Sequence, residues 1–144
     1  MKNIKIMLIE DNEDHAELVK IALEEKNLTD DYIHINDGEK ALDCLLEGQC
    51  KPELILLDLR LPKIDGLEVL RQLKKNEKTK KLPVVILTTS KNEIDIARAY
   101  DFHANSYLVK PVDYKKLTEL IKELGFYWLE INEKPKEVEK TRDK

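Results

Sequence analysis

Three carboxylates lie directly after apolar segments whose composition predicts buried strands. Glu10 and Asp11 follow residues 4–9, and Asp58 follows residues 54–57. In an open parallel α/β sheet, ligands bind in the crevice beyond the carboxyl ends of the strands. Acids that meet there repel one another, and Mg²⁺ relieves the repulsion because it prefers oxygen ligands. The three acids therefore predict a divalent-metal site; acids that only begin a solvated loop and cap a helix are the alternative.

Asp58 is the candidate nucleophile of this site. A carboxylate can attack a phosphoryl group and form an aspartyl phosphate. Because the barrier is mainly the approach of anions, a metal ion and an ammonium supply most of the stabilisation. Two more strand-like segments, residues 84–87 and 106–109, end in Thr88 and Lys110. We expect a hydroxyl from Thr88 and the ammonium from Lys110, although a strand-end cap and a surface lysine are the alternatives.

The elements that must position these groups follow from the period of the apolar residues. Five strand-like runs alternate with five segments of helical spacing, of which residues 117–124 are the clearest. Such alternation is typical of a parallel sheet with helices on both faces, because crossovers are right-handed. We therefore predict an α/β fold with a five-stranded, doubly wound parallel sheet. Residues 1–125 form this domain, and residues 126–144 form an aromatic extension with a charged, disordered tail.

The ends of several helices can also be predicted. Asp65 is the expected N-cap of the third helix, with Glu68 three residues later as its capping-box partner. The fourth helix is the least apolar and is built around Ile94, Ala97 and Tyr100. Gly125 is expected to close the last helix.

Composition narrows the classes of function. The chain has 25 basic and 29 acidic residues and a net charge of −4, and its basic residues form no uniform stripe, which argues against nucleic acid as a partner. The densest basic run, residues 74–81, is interpreted as a solvated helix end and loop. No stretch approaches the ~18 apolar residues of a membrane span, and the N-terminal residues lack signal-peptide features. We expect a cytoplasmic protein without a membrane partner.

The cysteines and histidines show no spacing typical of a metal site. Cys44 and Cys50 have neither a CxxC pattern nor a histidine cluster. We expect two reduced thiols without a chemical role. His15, His34 and His103 likewise show no ligand spacing, and we expect all three to be bystanders.

A set of motifs runs through the chain: Glu10-Asp11, Asp58, Leu61-Pro62, Asp65-Gly66, Thr88, and Tyr107 three residues before Lys110-Pro111. In this order, they resemble the receiver domain of two-component response regulators. The resemblance covers about residues 4–124, and it implies a flavodoxin-like arrangement of the sheet. It also implies a signalling protein rather than an enzyme, with only limited self-catalysed phosphorylation and dephosphorylation.

The resemblance further implies roles at the phosphorylation site. Asp58 would accept a phosphoryl group from the phosphohistidine of a sensor histidine kinase. Mg²⁺ would be held directly by Asp11, Asp58 and the backbone carbonyl of Arg60, with Glu10 contributing through water. Arg60 and Ser90 occupy positions that resemble those tuning the phosphoryl lifetime.

Thr88 and Tyr107 match the switch pair of the family. Phosphorylation adds negative charge and strong acceptors at one point. Thr88 could then move to bind a phosphoryl oxygen and leave space for the ring of Tyr107. The surface formed by the fourth helix, the last strand and the last helix would change shape, which is how the signal would leave the domain.

The aromatic extension carries a narrower resemblance. Phe126, Tyr127, Trp128 and Leu129, together with the Leu-Thr-Thr-Ser run at 87–90, resemble phytochrome-associated single-domain response regulators. This implies a phytochrome-like kinase as a candidate partner. The extension either packs back on the domain or serves as a docking arm. We hypothesise a two-fold homodimer through the last strand, the last helix and the extension.

Two other functions remain open from the residues. A Mg²⁺-dependent phosphatase with an aspartyl nucleophile usually has a second Asp two residues later, where this chain has Arg60. A receiver-like interaction module that no longer takes phosphate would not need the full set of site residues. The presence of that set favours the phosphoacceptor.

Overall fold

A single parallel sheet forms the centre of the computed structural model, which describes residues 5–25, 31–128 and 133. Its strand order is β2-β1-β3-β4-β5, and every pair is parallel. The predicted five-stranded α/β fold is confirmed. The strands are β1 Lys5–Ile9, β2 Asp31–Ile35, β3 Leu54–Leu57, β4 Val84–Thr88 and β5 Ser106–Val109. The helices are α1 Glu13–Glu25, α2 Gly38–Leu46, α3 Gly66–Lys75, α4 Glu93–Asp101 and α5 Tyr114–Phe126.

Two hydrophobic layers cover the sheet, one on each face. Successive side chains of a strand point to opposite faces, and β1 shows the division clearly. Ile6 and Leu8 join the layer under α1 and α5, whereas Met7 and Ile9 join the layer under α2, α3 and α4. All four are at most 1% exposed, so β1 is a central strand whose end opens between the two layers.

Helix caps agree with the sequence in most places. The Asp65 carboxylate accepts from the Glu68 backbone N–H at 3.1 Å, as an N-cap should. The Glu68 side chain does not return to the cap, because it binds Arg71 and Gln72 instead, so only half of the predicted capping box forms. Gly48 adopts φ 80° just after α2, a left-handed conformation that glycine tolerates.

Two predictions about helices are wrong. In α4 the buried residue is Ala99, while Ile94 and Tyr100 are 67% and 50% exposed. The small Ala99 lets α4 lie close to the sheet, and the larger apolar side chains point outward. Gly125 does not end α5, which continues to Phe126. Glycine inside a helix costs only about 1 kcal/mol, and the neighbouring Leu124 is buried.

The expectation of two reduced thiols is also wrong. Cys44 and Cys50 form a disulfide, with their Cα atoms 5.2 Å apart. The chain turns sharply at Gly48, and the backbone N–H groups of Gln49 and Cys50 both donate to the Cys44 carbonyl at 3.0 Å. This turn at the end of α2 brings the two sulfurs together, which no spacing motif indicates.

Lys74 differs from the solvated basic run in which it lies. Its Nζ donates to the carbonyls of Lys80 (3.2 Å) and Leu82 (2.7 Å) and to Asn105 Oδ1 (3.2 Å). Burial lowers the pKa of this ammonium. Lys74 therefore fastens the loop between α3 and β4.

The aromatic residues at and just after the end of α5 divide between core and surface. Trp128 packs against the layer under α1 and α5, and its ring meets Tyr127 edge to face at 5.5 Å. Phe126 and Tyr127 are 54% and 48% exposed. The remainder of the extension and the predicted disordered tail lie outside the described residues, apart from Glu133. Within the described ranges, no helix combines the length and the apolar character that a membrane span requires.

Candidate functional site

The carboxyl ends of four neighbouring strands carry the predicted site residues. Glu10 follows β1, Asp58 follows β3, Thr88 ends β4, and Lys110 follows β5. Hydrogen bonds continue the sheet past the strand ends. The backbone N–H of Glu10 donates to a carbonyl of β2, and the backbone N–H of Asp58 donates to a carbonyl of β1, each at 3.0 Å. The backbone N–H of Lys110 donates to a carbonyl of β4 at 2.7 Å. The backbone therefore fixes where each of these side chains begins.

The three acids predicted from the sequence come together. Glu10, Asp11 and Asp58 each offer a carboxylate oxygen, and these oxygens lie within 4.8 Å of one another. Glu10 and Asp58 are buried, at 1% and 6% exposure, whereas Asp11 is exposed at the rim. Two buried carboxylates and one at the rim, at this separation, form a donor set suited to a hard divalent cation.

Lys110 lies between Glu10 and Asp58 of this cluster. Its ammonium contacts the Glu10 carboxylate directly and lies 3.3 Å from Asp58 Oδ2. The residue is 4% exposed, so its charge is little screened by water. The Lys110–Pro111 peptide bond is trans.

Glu10 and Asp58 titrate very differently. Burial raises the pKa of Glu10 to about 8, and the hydrogen bond and charge of Asp58 add to this, while Lys110 opposes it. Burial alone would also raise the pKa of Asp58. The hydrogen bond to Glu10, the charge of Lys110 and the Thr88 hydroxyl outweigh burial and hold the pKa of Asp58 below its usual range. Asp58 therefore remains ionised, as a nucleophile must.

Thr88 and Tyr107 are linked through the backbone of one residue, Ser90. The Ser90 N–H donates to Thr88 Oγ1 at 3.4 Å, and the Tyr107 hydroxyl donates to the Ser90 carbonyl at 3.0 Å. The Ser90 hydroxyl donates to Asp95 in the first turn of α4 at 2.6 Å. This loop between β4 and α4 thus connects the buried Thr88 with the surface helix.

The loop after Asp58 follows a tight path. The backbone N–H of Arg60 donates to Asp58 Oδ1 at 3.4 Å, and its side chain is exposed. A Cβ at Gly66 would lie 2.2 Å from the Asp58 carbonyl oxygen, which no other residue could accommodate. Gly66 therefore lets α3 begin directly against the phosphoacceptor candidate and keeps the Arg60 backbone beside it.

Two histidines expected to be bystanders contact the site. His15 Nδ1 lies 3.0 Å from Lys110 Nζ, and His34 Nε2 donates to the Glu10 carbonyl at 2.7 Å. Burial, and then the charge of Lys110, lower the pKa of His15. The only signal in the sequence is that His15 lies four residues before Val19 on the buried face of α1. His103 follows α4 in a left-handed conformation, with φ 70°.

The chain is similar to known signalling proteins along most of its length. It is 45% identical over 134 residues to the probable methanogenesis regulatory protein FilR2 of Methanothrix harundinacea, a match that covers 90% of this chain and 86% of that protein. The crystal structure of the phosphorylated cyanobacterial phytochrome response regulator RcpA has a TM-score of 0.89 at 37% identity, covering 93% and 99% of the two chains. The Mn²⁺-bound form of response regulator Rcp1, a protein of Synechocystis sp., has a TM-score of 0.88 at 38% identity, covering 92% and 99%.

The family assignment rests on the fold, the site and one further match. The family model of the response regulator receiver domain matches residues 6–122. This range includes β2 to β5, all of β1 except Lys5, and every residue of the acidic site. The chain therefore belongs to the response regulator receiver domain family.

Proposed function

We propose that the protein is a stand-alone response regulator that accepts a phosphoryl group on Asp58 from a sensor histidine kinase. The observation that carries the proposal is the buried Lys110 ammonium between Glu10 and Asp58. It lies where the charge of a phosphoryl group next to Asp58 would develop. Exposed acids that only cap a helix would not need a buried ammonium among them.

The transfer step is a displacement at phosphorus. A carboxylate oxygen of Asp58 forms the new O–P bond as the N–P bond of the kinase phosphohistidine breaks, and the imidazole leaves with the electron pair. Lys110 pairs with a phosphoryl oxygen, and Thr88 donates its hydroxyl to another. A low Asp58 pKa keeps the nucleophile ready without a separate base. Limited self-catalysed phosphorylation and dephosphorylation, and a cytoplasmic location, are parts of this proposal.

The same pocket is proposed to hold Mg²⁺. Asp11, Asp58 and the carbonyl of Arg60 would bind it directly, and Glu10 would act through water. A bound Mg²⁺ neutralises carboxylate charge and helps the phosphoryl group to approach. The acid cluster supports this assignment, as does the similar Rcp1, whose structure holds Mn²⁺. Both ions favour oxygen ligands in octahedral geometry.

The output is proposed to pass through Thr88 and Tyr107. A phosphoryl oxygen that draws the Thr88 hydroxyl would break its contact with the Ser90 N–H. The Ser90 carbonyl holds Tyr107, and the Ser90 hydroxyl holds Asp95 of α4. A shift of Ser90 would therefore change the surface that α4, β5 and α5 form together.

The partners proposed are a histidine kinase and a second copy of the chain. The phytochrome response regulators among the similar structures support a phytochrome-like kinase. Phe126 and Tyr127, at the junction between the proposed domain (1–125) and extension (126–144), expose aromatic surface at the end of α5. A two-fold dimer through β5, α5 and the extension would bury it.

Intact-mass labelling tests the proposal. The protein is incubated with acetyl phosphate and Mg²⁺, and a gain of one phosphoryl group is expected. Asp58→Asn should abolish the gain, the exposed Asp43→Asn on α2 should retain it, and a chelator should suppress it. Unlabelled wild-type protein, or label that persists in Asp58→Asn, would contradict the assignment. The proposed dimer is tested by measuring the molecular size of the phosphorylated and the unphosphorylated protein. A protein that stays monomeric at high concentration in both forms would refute the dimer.

A further inference from the structure

The ammonium of Lys110 has three acceptors around it in the described part of the chain. Two are the carboxylates of Glu10 and Asp58. The third is His15, whose Nδ1 lies 3.0 Å from Nζ. An ammonium has three N–H groups and no lone pair, so each contact takes one donor, and an incoming phosphoryl oxygen must share or replace one of these acceptors.

The geometry also fixes the tautomer of His15. Because Lys110 can only donate, His15 Nδ1 must accept and therefore carries no hydrogen. The imidazole hydrogen then lies on Nε2. His15 is thus a neutral acceptor of the Lys110 ammonium, beside the carboxyl groups of Glu10 and Asp58.

The first turn of α1 holds His15 in this position. The Asn12 side chain accepts from the His15 backbone N–H at 3.0 Å, and the Asn12 carbonyl accepts from the Ala16 N–H at the same distance. His15 continues the buried face of α1 toward the ends of the strands, and its side chain is only 20% exposed. The ring therefore has little freedom to leave Lys110.

We propose that His15 is a positioning residue for Lys110, holding the ammonium where it meets an incoming phosphoryl oxygen. Hydrogen bonds to carboxylates are about twice as strong as those to neutral acceptors. Without a third acceptor, the ammonium would be drawn toward Glu10 and Asp58 and away from the open side of the pocket. The inference rests on the proposed phosphorylation of Asp58 and adds a group that no motif of the sequence indicates.

Three substitutions separate this role from simple packing. His15→Asn places an amide oxygen near the position of Nδ1, His15→Gln places it near that of Nε2, and His15→Leu provides no acceptor. We expect His15→Leu and His15→Gln to slow labelling by acetyl phosphate about three- to tenfold, and His15→Asn to remain within about twofold of wild type. The far-ultraviolet spectra and unfolding midpoints of all three variants are compared first, so that rates are measured on folded protein.

A double-mutant cycle shows whether His15 acts through Lys110. In the Lys110→Ala background, His15→Leu should cause no further loss, since the group it positions is absent. An equal loss in both backgrounds would refute the positioning role, and so would unchanged labelling of His15→Leu. If the wild type takes no label at all, the proposed function itself is contradicted.

Imidazole nitrogen chemical shifts give a readout that needs neither metal nor phosphodonor. Wild-type His15 should show the tautomer with hydrogen on Nε2, and Lys110→Ala should weaken that preference. His15 with its hydrogen on Nδ1 would overturn the inference, whatever the labelling rates. This measurement therefore distinguishes a failure of the His15 assignment from a failure of the proposed function.

Discussion

Replacing Glu10 by glutamine should stabilise the metal-free protein at alkaline pH. Glu10 is buried beside Asp58, and its pKa is raised from 4.5 to about 8. A carboxyl whose folded pKa exceeds its unfolded pKa contributes stability at low pH, and this contribution is lost as pH rises through the folded pKa. Glutamine resembles the protonated carboxyl and keeps a donor for Asp58. The variant should therefore gain stability relative to wild type between pH 4.5 and about 8.

The size of the effect follows from the same values. Each pKa unit corresponds to about 1.4 kcal/mol, so the full shift from 4.5 to about 8 sets a ceiling of about 5 kcal/mol. Relaxation of the protein and water in the pocket make the real gain in stability smaller than this ceiling. The gain is smaller again because glutamine cannot form the charged contact that an ionised Glu10 makes with Lys110. We expect a relative gain of about 2 kcal/mol at high pH.

Urea unfolding in the presence of a chelator measures this difference. Wild type and Glu10→Gln are compared at about pH 5 and about pH 9, with Glu24→Gln on the exposed side of α1 as the control. Added Mg²⁺ should shrink the difference, because a cation offsets the repulsion between the carboxylates. A Glu10→Gln variant less stable than wild type at the higher pH would show that the ion pair with Lys110 outweighs that repulsion, and the electrostatic account of the site would fail.

Two further predictions concern parts of the fold away from the site. Replacing both Cys44 and Cys50 by serine should lower the free energy of unfolding by about 2 kcal/mol, as expected for so short a closed loop; an unchanged urea midpoint would contradict it. Lys74→Met should cost about 1–3 kcal/mol, because the partly buried Leu82 carbonyl and the Asn105 side chain lose the donor that they share. Thermal unfolding measures this cost, with the exposed Lys75→Met as control, and equal melting temperatures of the two variants would count against it.

Much of this protein could be predicted from local patterns. The runs of apolar residues that form β1, β3 and β4 are continuous because these strands are buried on both faces. Parallel strands end at a common edge, so the residues that follow them must approach one another. Glu10, Asp58 and Lys110 could therefore be grouped in the sequence although 48 and 52 positions separate them along the chain.

Local patterns failed where a contact depends on side-chain direction or on a turn. The apolar residues of α4 suggested a buried face, yet Ile94 and Tyr100 point outward, because only Ala99 allows the close approach of the helix. Cys44 and Cys50 looked like separate thiols because the turn at Gly48 that joins them has no motif. The spacing of polar residues gave no indication of the Lys74 contacts, which depend on how the loop before β4 folds back.

The sequence by itself determined the five-stranded sheet and the meeting of the three acids with Lys110 and Thr88, because strand alternation and parallel pairing leave little other choice. Only the tertiary structure decided that His15 accepts from Lys110 and that Ser90 joins Thr88 to Tyr107. Those contacts bring residues 95 and 17 positions apart within 3.0 Å. Their geometry depends on how α1 and the loop after β4 pack on the sheet, and no local period encodes that packing.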